Sequence, residues 1–388
     1  MLQLPDNLNE EFPIKSTTVY FNNASYTPMS KSATNAISQA VTSYSKFGPS
    51  DEFYLKLKEG GNLAREKLSK LLNVPKEGIV FTESATQSIN MVANGFKLSP
   101  GDYMISRGGA TEHPSNFLPW KYYADTKKAR ILDLKTDSYG VPDLAMLDSA
   151  LKETKAKLVI MSHVIYNLGT IMPVAEASKI SHEHGARFFL DASQSVGSIP
   201  TDLEAIDCDF CAGTAAKWLC GPLGLGFFYC KKEALDSLEP LNFGPNACTY
   251  TPDGEFSVLE TAAKLQEGFR NWAYCYGFSA AIDLVTSLGV PSVREKNLRL
   301  ADAIIEELSL DKSFRMIGSS RKGQRTSITP FETLDIKPID IVQKLSKEHI
   351  TVAEREVGSK KILRISPHFY NDEDEVSRLV RALRAARS

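Results

Sequence analysis

Apolar and polar positions along this chain fall into short blocks whose period switches from strand-like to helix-like and back. Gly78-Ile79-Val80-Phe81, Asp102-Tyr103-Met104-Ile105-Ser106, Ala129-Arg130-Ile131-Leu132-Asp133-Leu134 and Lys157-Leu158-Val159-Ile160-Met161-Ser162 read as strands. So do Arg187-Phe188-Phe189-Leu190-Asp191, Phe210-Cys211-Ala212 and Phe227-Phe228-Tyr229-Cys230. Residues 88–94, 142–154 and 175–184 carry helical patterns between them. Near-continuous apolar strands alternating with helices predict a mostly parallel sheet flanked by helices. After about residue 280 the pattern changes to a helix over 291–308 and then mixed strands and helices, which predicts a smaller C-terminal α+β domain. We therefore read an α/β chain with an N-terminal segment at 1–19, a large domain at 20–280 and a small domain at 281–388.

Composition narrows the function classes. A chain of 388 residues can enclose a substantial core in each unit. A formal net charge of −2 offers no electrostatic pull toward nucleic acid or an anionic membrane. No run of about twenty apolar residues is present, and the polar, acidic residues 1–11 are unlike a signal peptide. The expected location is the cytoplasm. All six cysteines lie between Cys208 and Cys275. Cys208 and Cys211 form a C-x-x-C, but the segment looks extended, and residues three apart on a strand point to opposite faces. His182 and His184, two apart on a helix, do not share a face either. No metal site is expected.

Lys217 lies in Ala212-Gly213-Thr214-Ala215-Ala216-Lys217-Trp218-Leu219-Cys220-Gly221-Pro222-Leu223-Gly224-Leu225-Gly226, between two apolar runs. Desolvation disfavours an ammonium, so a lysine held there can be a neutral nucleophile able to form a Schiff base. A solvated loop lysine is the plainer alternative. Asp191 ends a buried strand, and ligands of open parallel sheets bind at the carboxyl ends of strands, so Asp191 and Lys217 are expected to face one crevice. Asp191 either caps a turn or faces the protonated ring nitrogen of pyridoxal phosphate while a lysine holds the aldehyde carbon. Ser84-Ala85-Thr86-Gln87 opens a helix after a strand, where free N–H groups and the positive helix end can hold a phosphate. Ser84 and Gln87 also fit a capping box that needs no ligand.

These stretches, together with Thr111-Glu112-His113-Pro114-Ser115-Asn116-Phe117-Leu118-Pro119-Trp120, resemble the class V aminotransferase family, which includes cysteine desulfurases and isopenicillin N epimerases. The resemblance runs from about Tyr20 to the C-terminus. It implies the fold type I of pyridoxal-phosphate-dependent transferases, and pyridoxal 5'-phosphate as cofactor. It implies Lys217 as the Schiff-base lysine, Asp191 as the partner of the ring nitrogen, and His113 as the residue that stacks on the ring and relays protons. Ala85, Thr86 and Thr214 would hold the phosphate, and Gln194 the ring hydroxyl oxygen. Arg364, in Ile362-Leu363-Arg364-Ile365-Ser366-Pro367-His368-Phe369-Tyr370, would grip the substrate carboxylate, a task suited to a bidentate guanidinium. Tyr26, Tyr166, Tyr250 and Arg355 are candidates for substrate contact. A homodimer acting on a small amino acid is implied as well.

Departures from the family pattern bear on the chemistry. Residues 351–361, where desulfurases carry a nucleophilic cysteine, hold none. The histidine that usually precedes the lysine is Ala216. A cofactor-contacting asparagine is replaced by Tyr166, which leaves its role to the adjacent Asn167 or to nothing. A family Gly-Thr that reaches the neighbouring subunit's phosphate reads Gly268-Phe269-Arg270-Asn271, with Arg270 or Asn271 placed to compensate. A persulfide cannot form without a thiolate. The expectation is thus a lyase of the C–S elimination type or an epimerase, not a conventional cysteine desulfurase. Lys217, once displaced by the substrate amine, would be the general base at Cα. An aminotransferase is the alternative within the family, and a non-catalytic protein that keeps the fold is the alternative outside it.

Overall fold

A computed structural model describes residues 8–108, 112–266, 268 and 271–386. Thr111, Phe269 and Arg270 lie outside the described residues. The apolar blocks form strands, numbered along the chain as β1 (Val19–Tyr20), β2 (Ile79–Thr82), β3 (Tyr103–Ser106), β4 (Arg130–Asp133) and β5 (Leu158–Ser162). Next come β6 (Arg187–Asp191), β7 (Phe210–Thr214), β8 (Gly226–Cys230), β9 (Cys248–Tyr250) and β10 (Phe256–Val258). The C-terminal part adds β11 (Phe314–Met316), β12 (Thr329–Thr333), β13 (Ile350–Thr351), β14 (Ala353–Val357) and β15 (Lys360–Ile365). The helices are α1 (Leu8–Glu11), α2 (Lys31–Phe47), α3 (Asp51–Leu72), α4 (Ala85–Gly95), α5 (Leu118–Lys127) and α6 (Leu144–Thr154). They continue as α7 (Val174–Glu183), α8 (Leu203–Ile206), α9 (Trp272–Leu288), α10 (Val290–Ser309), α11 (Pro338–Lys347) and α12 (Glu373–Ala385).

Among the described residues the central sheet has seven strands in the order β2-β8-β7-β6-β5-β3-β4. All neighbours are parallel except β8, which runs antiparallel to both β2 and β7. Strands with two apolar faces sit in the middle, where both faces are covered, and β4, only half apolar, is the exposed edge. One core fills the side of the sheet under α3, α6, α7 and α9, and a second fills the side under α4 and α5. The chain is therefore α/β, with a mostly parallel sheet flanked by helices. In the register, Ser162 pairs with Asp191 and Asp191 with Ala212, so the carboxyl ends of β5, β6 and β7 are level. That edge positions the site.

A smaller antiparallel sheet, β11-β12-β15-β14, packs with α10, α11 and α12 around its own core. The expected divisions at 20 and 280 do not coincide with these bodies. β1 pairs in parallel with β13, and Val19 and Phe21 are buried in the C-terminal core, so residues just after 19 belong there. A cut at 280 would sever α9, whose Ile282 and Val285 complete the large core. The physical break is Gly289, at φ +76°, after which the chain bends by 76° into α10. No single described helix is long and apolar enough to cross a membrane.

The Cys208–Cys211 expectation also needs correction. Cys208 precedes β7, so strand alternation does not govern it, and its side chain hydrogen-bonds that of Cys211 inside the core. His182 and His184 diverge, His182 contacting Asp209 at 2.8 Å and His184 contacting Asp148 at 2.7 Å.

Candidate active site

Five connections converge at the carboxyl edge of the central sheet and line a cleft of about 280 Å³. β6 ends in Asp191, and the β7–β8 loop carries Lys217. The β2–α4 turn presents Ala85 and Thr86, the segment after β3 presents His113, and the segment after β5 presents Tyr166. The C-terminal sheet closes the cleft with Arg355 on β14 and Arg364 on β15. A larger groove of about 660 Å³ runs between α3 and α9, but its Lys67 and Asp283 pair with each other at 2.5 Å and it holds no candidate nucleophile. The candidate catalytic groups line the smaller cleft.

Asp191 is buried, and one carboxylate oxygen accepts from the Ser193 N–H at 2.9 Å. Its carbonyl accepts from the His163 N–H at 2.9 Å, which extends the β5–β6 ladder by one rung and holds the strand end still. Lys217 lines the cleft and is half-buried. Loss of water around its ammonium lowers the pKa to about 8, Asp191 works against that shift, and Arg364 and Arg355 add to it. About a tenth of this amine is then neutral at pH 7, far more than for an ordinary lysine. His113 is lowered to about 4, by burial first and by Lys217 second. Its Nδ1 accepts from the Ser115 N–H at 3.1 Å, so the neutral ring carries its proton on Nε2. The ring meets that of Tyr166 edge to face at 4.8 Å.

At the α4 end of the cleft Ser84 caps the helix, accepting from the Gln87 N–H at 3.2 Å. The reciprocal half of the expected capping box is displaced by one residue, since the Gln87 side chain accepts from the Glu83 N–H at 2.7 Å. The first N–H groups of α4, on Ala85 and Thr86, remain at the helix mouth facing the cleft. Thr86 donates its hydroxyl to Ser115 at 2.9 Å, and Thr214 also lines the cleft. Gly226 makes this packing feasible, because a Cβ there would lie 2.5 Å from the Ser84 carbonyl carbon.

Gln194 faces the cleft with its amide already oriented. Nε2 donates to the Ala24 carbonyl and Oε1 accepts from the Trp218 indole N–H, each at 2.8 Å. One amide N–H remains for a ligand. Arg364 is buried and donates to the Tyr166 carbonyl at 2.7 Å and to Ser25 Oγ at 2.6 Å. Its Nε has no partner, and burial followed by the charge of Arg355 lowers its pKa to about 9.

Asn167 is not in the cleft. Its Nδ2 donates to the Glu356 carbonyl at 2.5 Å and its Oδ1 is unpartnered in the interior. The tight turn closed by the Gly169 N–H to the Ile165 carbonyl, with Gly169 at φ +70°, sends Tyr166 into the cleft and its neighbour away. The expected substitution of Asn167 for the missing asparagine contact therefore fails. Tyr26 stands at the rim, 54% exposed, whereas Tyr250 is 66% exposed on the β9–β10 hairpin and does not line the cleft.

Two contributors went unnoticed in the sequence. Ser25 accepts from both arginines, and the loop it occupies carries no motif. Glu112 is buried, with one oxygen accepting from the Ser162 hydroxyl at 2.7 Å and from the His113 N–H at 2.8 Å, and Arg107 lies 3.4 Å from the other oxygen. Its position beside His113 was the available signal. Together these groups suit a ligand with an aldehyde, a basic ring nitrogen and a phosphate: a part-neutral amine, a carboxylate with an oxygen to spare, and a helix N-terminus.

Comparison with known proteins agrees with that fit. The family model described as "Aminotransferase class-V" matches residues 19–379. A probable cysteine desulfurase of Methanothermobacter thermautotrophicus is 28% identical over 391 residues, which cover 96% of each chain. Among solved structures, the cysteine desulfurase CsdA of Escherichia coli superposes with a TM-score of 0.89 at 25% identity, covering 100% of this chain and 99% of that one. A cystine C–S lyase in complex with cysteine persulfide gives a TM-score of 0.86 at 23% identity, covering 96% and 98%, and shows the same fold.

Proposed function

We propose, on the premise that the chain belongs to the aminotransferase class-V family and uses pyridoxal 5'-phosphate as its cofactor, that it is a lyase eliminating the β-sulfur substituent of an amino acid without a catalytic cysteine. The observation that carries this reading is the absence of a thiol from the cleft. All six cysteines are among the described residues, and none lines it. Burial holds the thiols of Cys211 and Cys220 well above their ordinary value and pushes Cys275 up to about 12, away from nucleophilic thiolate.

The bound cofactor supplies an electron sink for negative charge at the substrate Cα. Lys217 would hold the cofactor and, as a neutral amine, would take the Cα proton of the substrate. Asp191 would keep the ring nitrogen protonated, Ala85, Thr86 and Thr214 would hold the phosphate, and Gln194 would hold the ring oxygen. His113 relays a proton on the ring face, and Arg364 fixes the α-carboxylate. Cysteine plus water then gives pyruvate, ammonia and hydrogen sulfide, whereas desulfuration would leave alanine. We also read the assembly as a homodimer and the large and small domains as divided at Gly289.

The test is to incubate the holoenzyme with L-cysteine and L-cystine and quantify 2-oxo acid, ammonia and alanine. Equal 2-oxo acid and ammonia without alanine is expected. Alanine formation would overturn the reading and turn attention to Cys248, the one half-buried thiol. Cα deuterium exchange without product would assign an epimerase, and 2-oxo-acid-dependent amine transfer an aminotransferase. Failure of the wild type to bind cofactor any better than Lys217→Ala would leave a fold without catalysis.

A further inference from the structure

Trp218 follows Lys217 in the β7–β8 loop and is wholly buried. It shares a small apolar cluster with Ala24, Val164, Ile199 and Ile328, and the His368 ring meets its indole edge to face at 5.1 Å. The loop after β6 turns back at Gly197, at φ +88°, where a Cβ would lie 2.5 Å from the Trp218 carbonyl oxygen. Only glycine allows that approach. It sets the Gln194 loop against Trp218, and the one polar atom of the indole meets the buried Gln194 amide.

The partners allow that amide one orientation. An indole N–H can only donate, and the Ala24 carbonyl can only accept. Gln194 Oε1 takes the first bond and Nε2 gives the second, each at 2.8 Å. Turning the amide over would set donor against donor and acceptor against acceptor in a buried place, with both bonds lost. Nε2 keeps one more N–H, and Gln194 lines the cleft beside Asp191 and Lys217. Trp218 itself does not line the cleft, so its indole can act there only through a neighbour.

Which end of the amide faces a ligand matters for a ring with an ionisable oxygen. A donor favours the anionic oxygen, and an acceptor favours the neutral hydroxyl. We infer that Trp218 is a positioning residue: by holding Gln194 Oε1 it makes Gln194 a hydrogen-bond donor to the ring oxygen of pyridoxal 5'-phosphate. The anionic form of that oxygen is favoured as a result, while Asp191 acts at the ring nitrogen. This rests on the contact proposed above for Gln194 and is independent of the elimination reading.

Full-length apoprotein is titrated by calorimetry with two probes, pyridoxamine 5'-phosphate and its analogue lacking the ring hydroxyl. Neither can bond covalently to Lys217, so the ratio of their affinities reads the contacts of the ring oxygen. The wild type is expected to prefer the hydroxylated probe about tenfold or more, as a charge-assisted contact would give. Trp218→Phe is expected to cut that preference by about threefold or more. Gln194→Met should cut it at least as far, and so should Gln194→Glu, which still accepts from the indole but has no N–H to offer. In the Gln194→Met background, Trp218→Phe should change the ratio no further. A tryptophan that only fills the core would weaken both probes alike, and an unchanged ratio in Trp218→Phe would overturn the proposal. An equal effect of Trp218→Phe with and without Gln194 would also reject it, because Trp218 would then act by another route. A preference retained in Gln194→Glu would refute the donor assignment, and one retained in Gln194→Met would remove the Gln194 contact and the inference with it. Should Trp218→Phe not fold, benzothienylalanine at position 218, which exchanges only the N–H for sulfur, takes its place with the same expectations.

Discussion

His368 Nε2 lies 3.1 Å from the carbonyl oxygen of Trp218, so the turn after β15 holds the peptide adjoining Lys217. Burial lowers His368 to about 3, and its Nδ1 faces the Asn297 side chain at 3.2 Å, which leaves the Nε2 proton for Trp218. The ring also meets the Trp218 indole edge to face at 5.1 Å. Truncation to alanine removes that donor and opens a cavity. His368→Ala is expected to cost about 2–4 kcal/mol in urea unfolding and to weaken cofactor binding in a spectral titration. An unchanged urea midpoint would show that the contact bears little on stability.

Acid sensitivity follows from buried histidines. His163 is lowered to about 4 and His368 to about 3, both chiefly by loss of water. Below the unfolded value of about 6.5 the unfolded chain takes up these protons and the folded chain does not. Stability is therefore fully present above about pH 6.5 and falls as pH drops toward about 4. The slope is at most about 1.4 kcal/mol per pH unit for each residue. His182 acts in a different window: its hydrogen bond to Asp209 raises it, so its contribution is present at low pH and fades as pH rises above about 6.5. Urea midpoints at several pH values between about 8.5 and 4 would test this, and a flat profile would contradict it.

Lys217 gives a kinetic signature. With its ammonium lowered to about 8, the neutral fraction should rise about tenfold per pH unit below that value and then level off. The rate at which apoprotein captures pyridoxal 5'-phosphate, followed by absorbance, is expected to trace that curve and to lose the covalent phase in Lys217→Ala. A plateau displaced to about 10.5 would mean an ordinary, hydrated lysine.

Gly226→Ala probes the β2–α4 turn without replacing a side chain that faces the cleft. The new methyl would meet the Ser84 backbone at 2.5 Å and Thr82 Oγ1 at 2.7 Å. β8 and the start of α4 would have to separate, at a cost of about 1–3 kcal/mol. Cofactor affinity should fall together with stability. A variant of normal stability and normal affinity would show that the turn can relax.

Much of the site was legible in the chain because its key groups sit at ends of apolar blocks. Asp191 closes a buried strand and Lys217 lies between two others, and a parallel sheet brings such ends to one edge. Ala85 and Thr86 follow a strand and open a helix, which by itself predicts an N-terminus facing that edge. Arg364 follows an apolar strand run, which pointed to a buried guanidinium.

What depended on turns and on distant pairing was not legible. Tyr166 and Asn167 are adjacent, and only the turn at Gly169 decides that the tyrosine enters the cleft. The thiols of Cys208 and Cys211 meet because Cys208 lies before its strand starts, a boundary finer than periodicity resolves. Val19 and Tyr20 join the C-terminal body by pairing with Ile350 and Thr351, across more than three hundred residues. Local pattern determined the strands, the helices and the positions that carry chemistry, since burial period and chain ends are properties of short segments. Tertiary structure alone decided which side chains share the cleft and put Arg355 beside Arg364, because register, turn geometry and long-range pairing depend on contacts that no short segment contains.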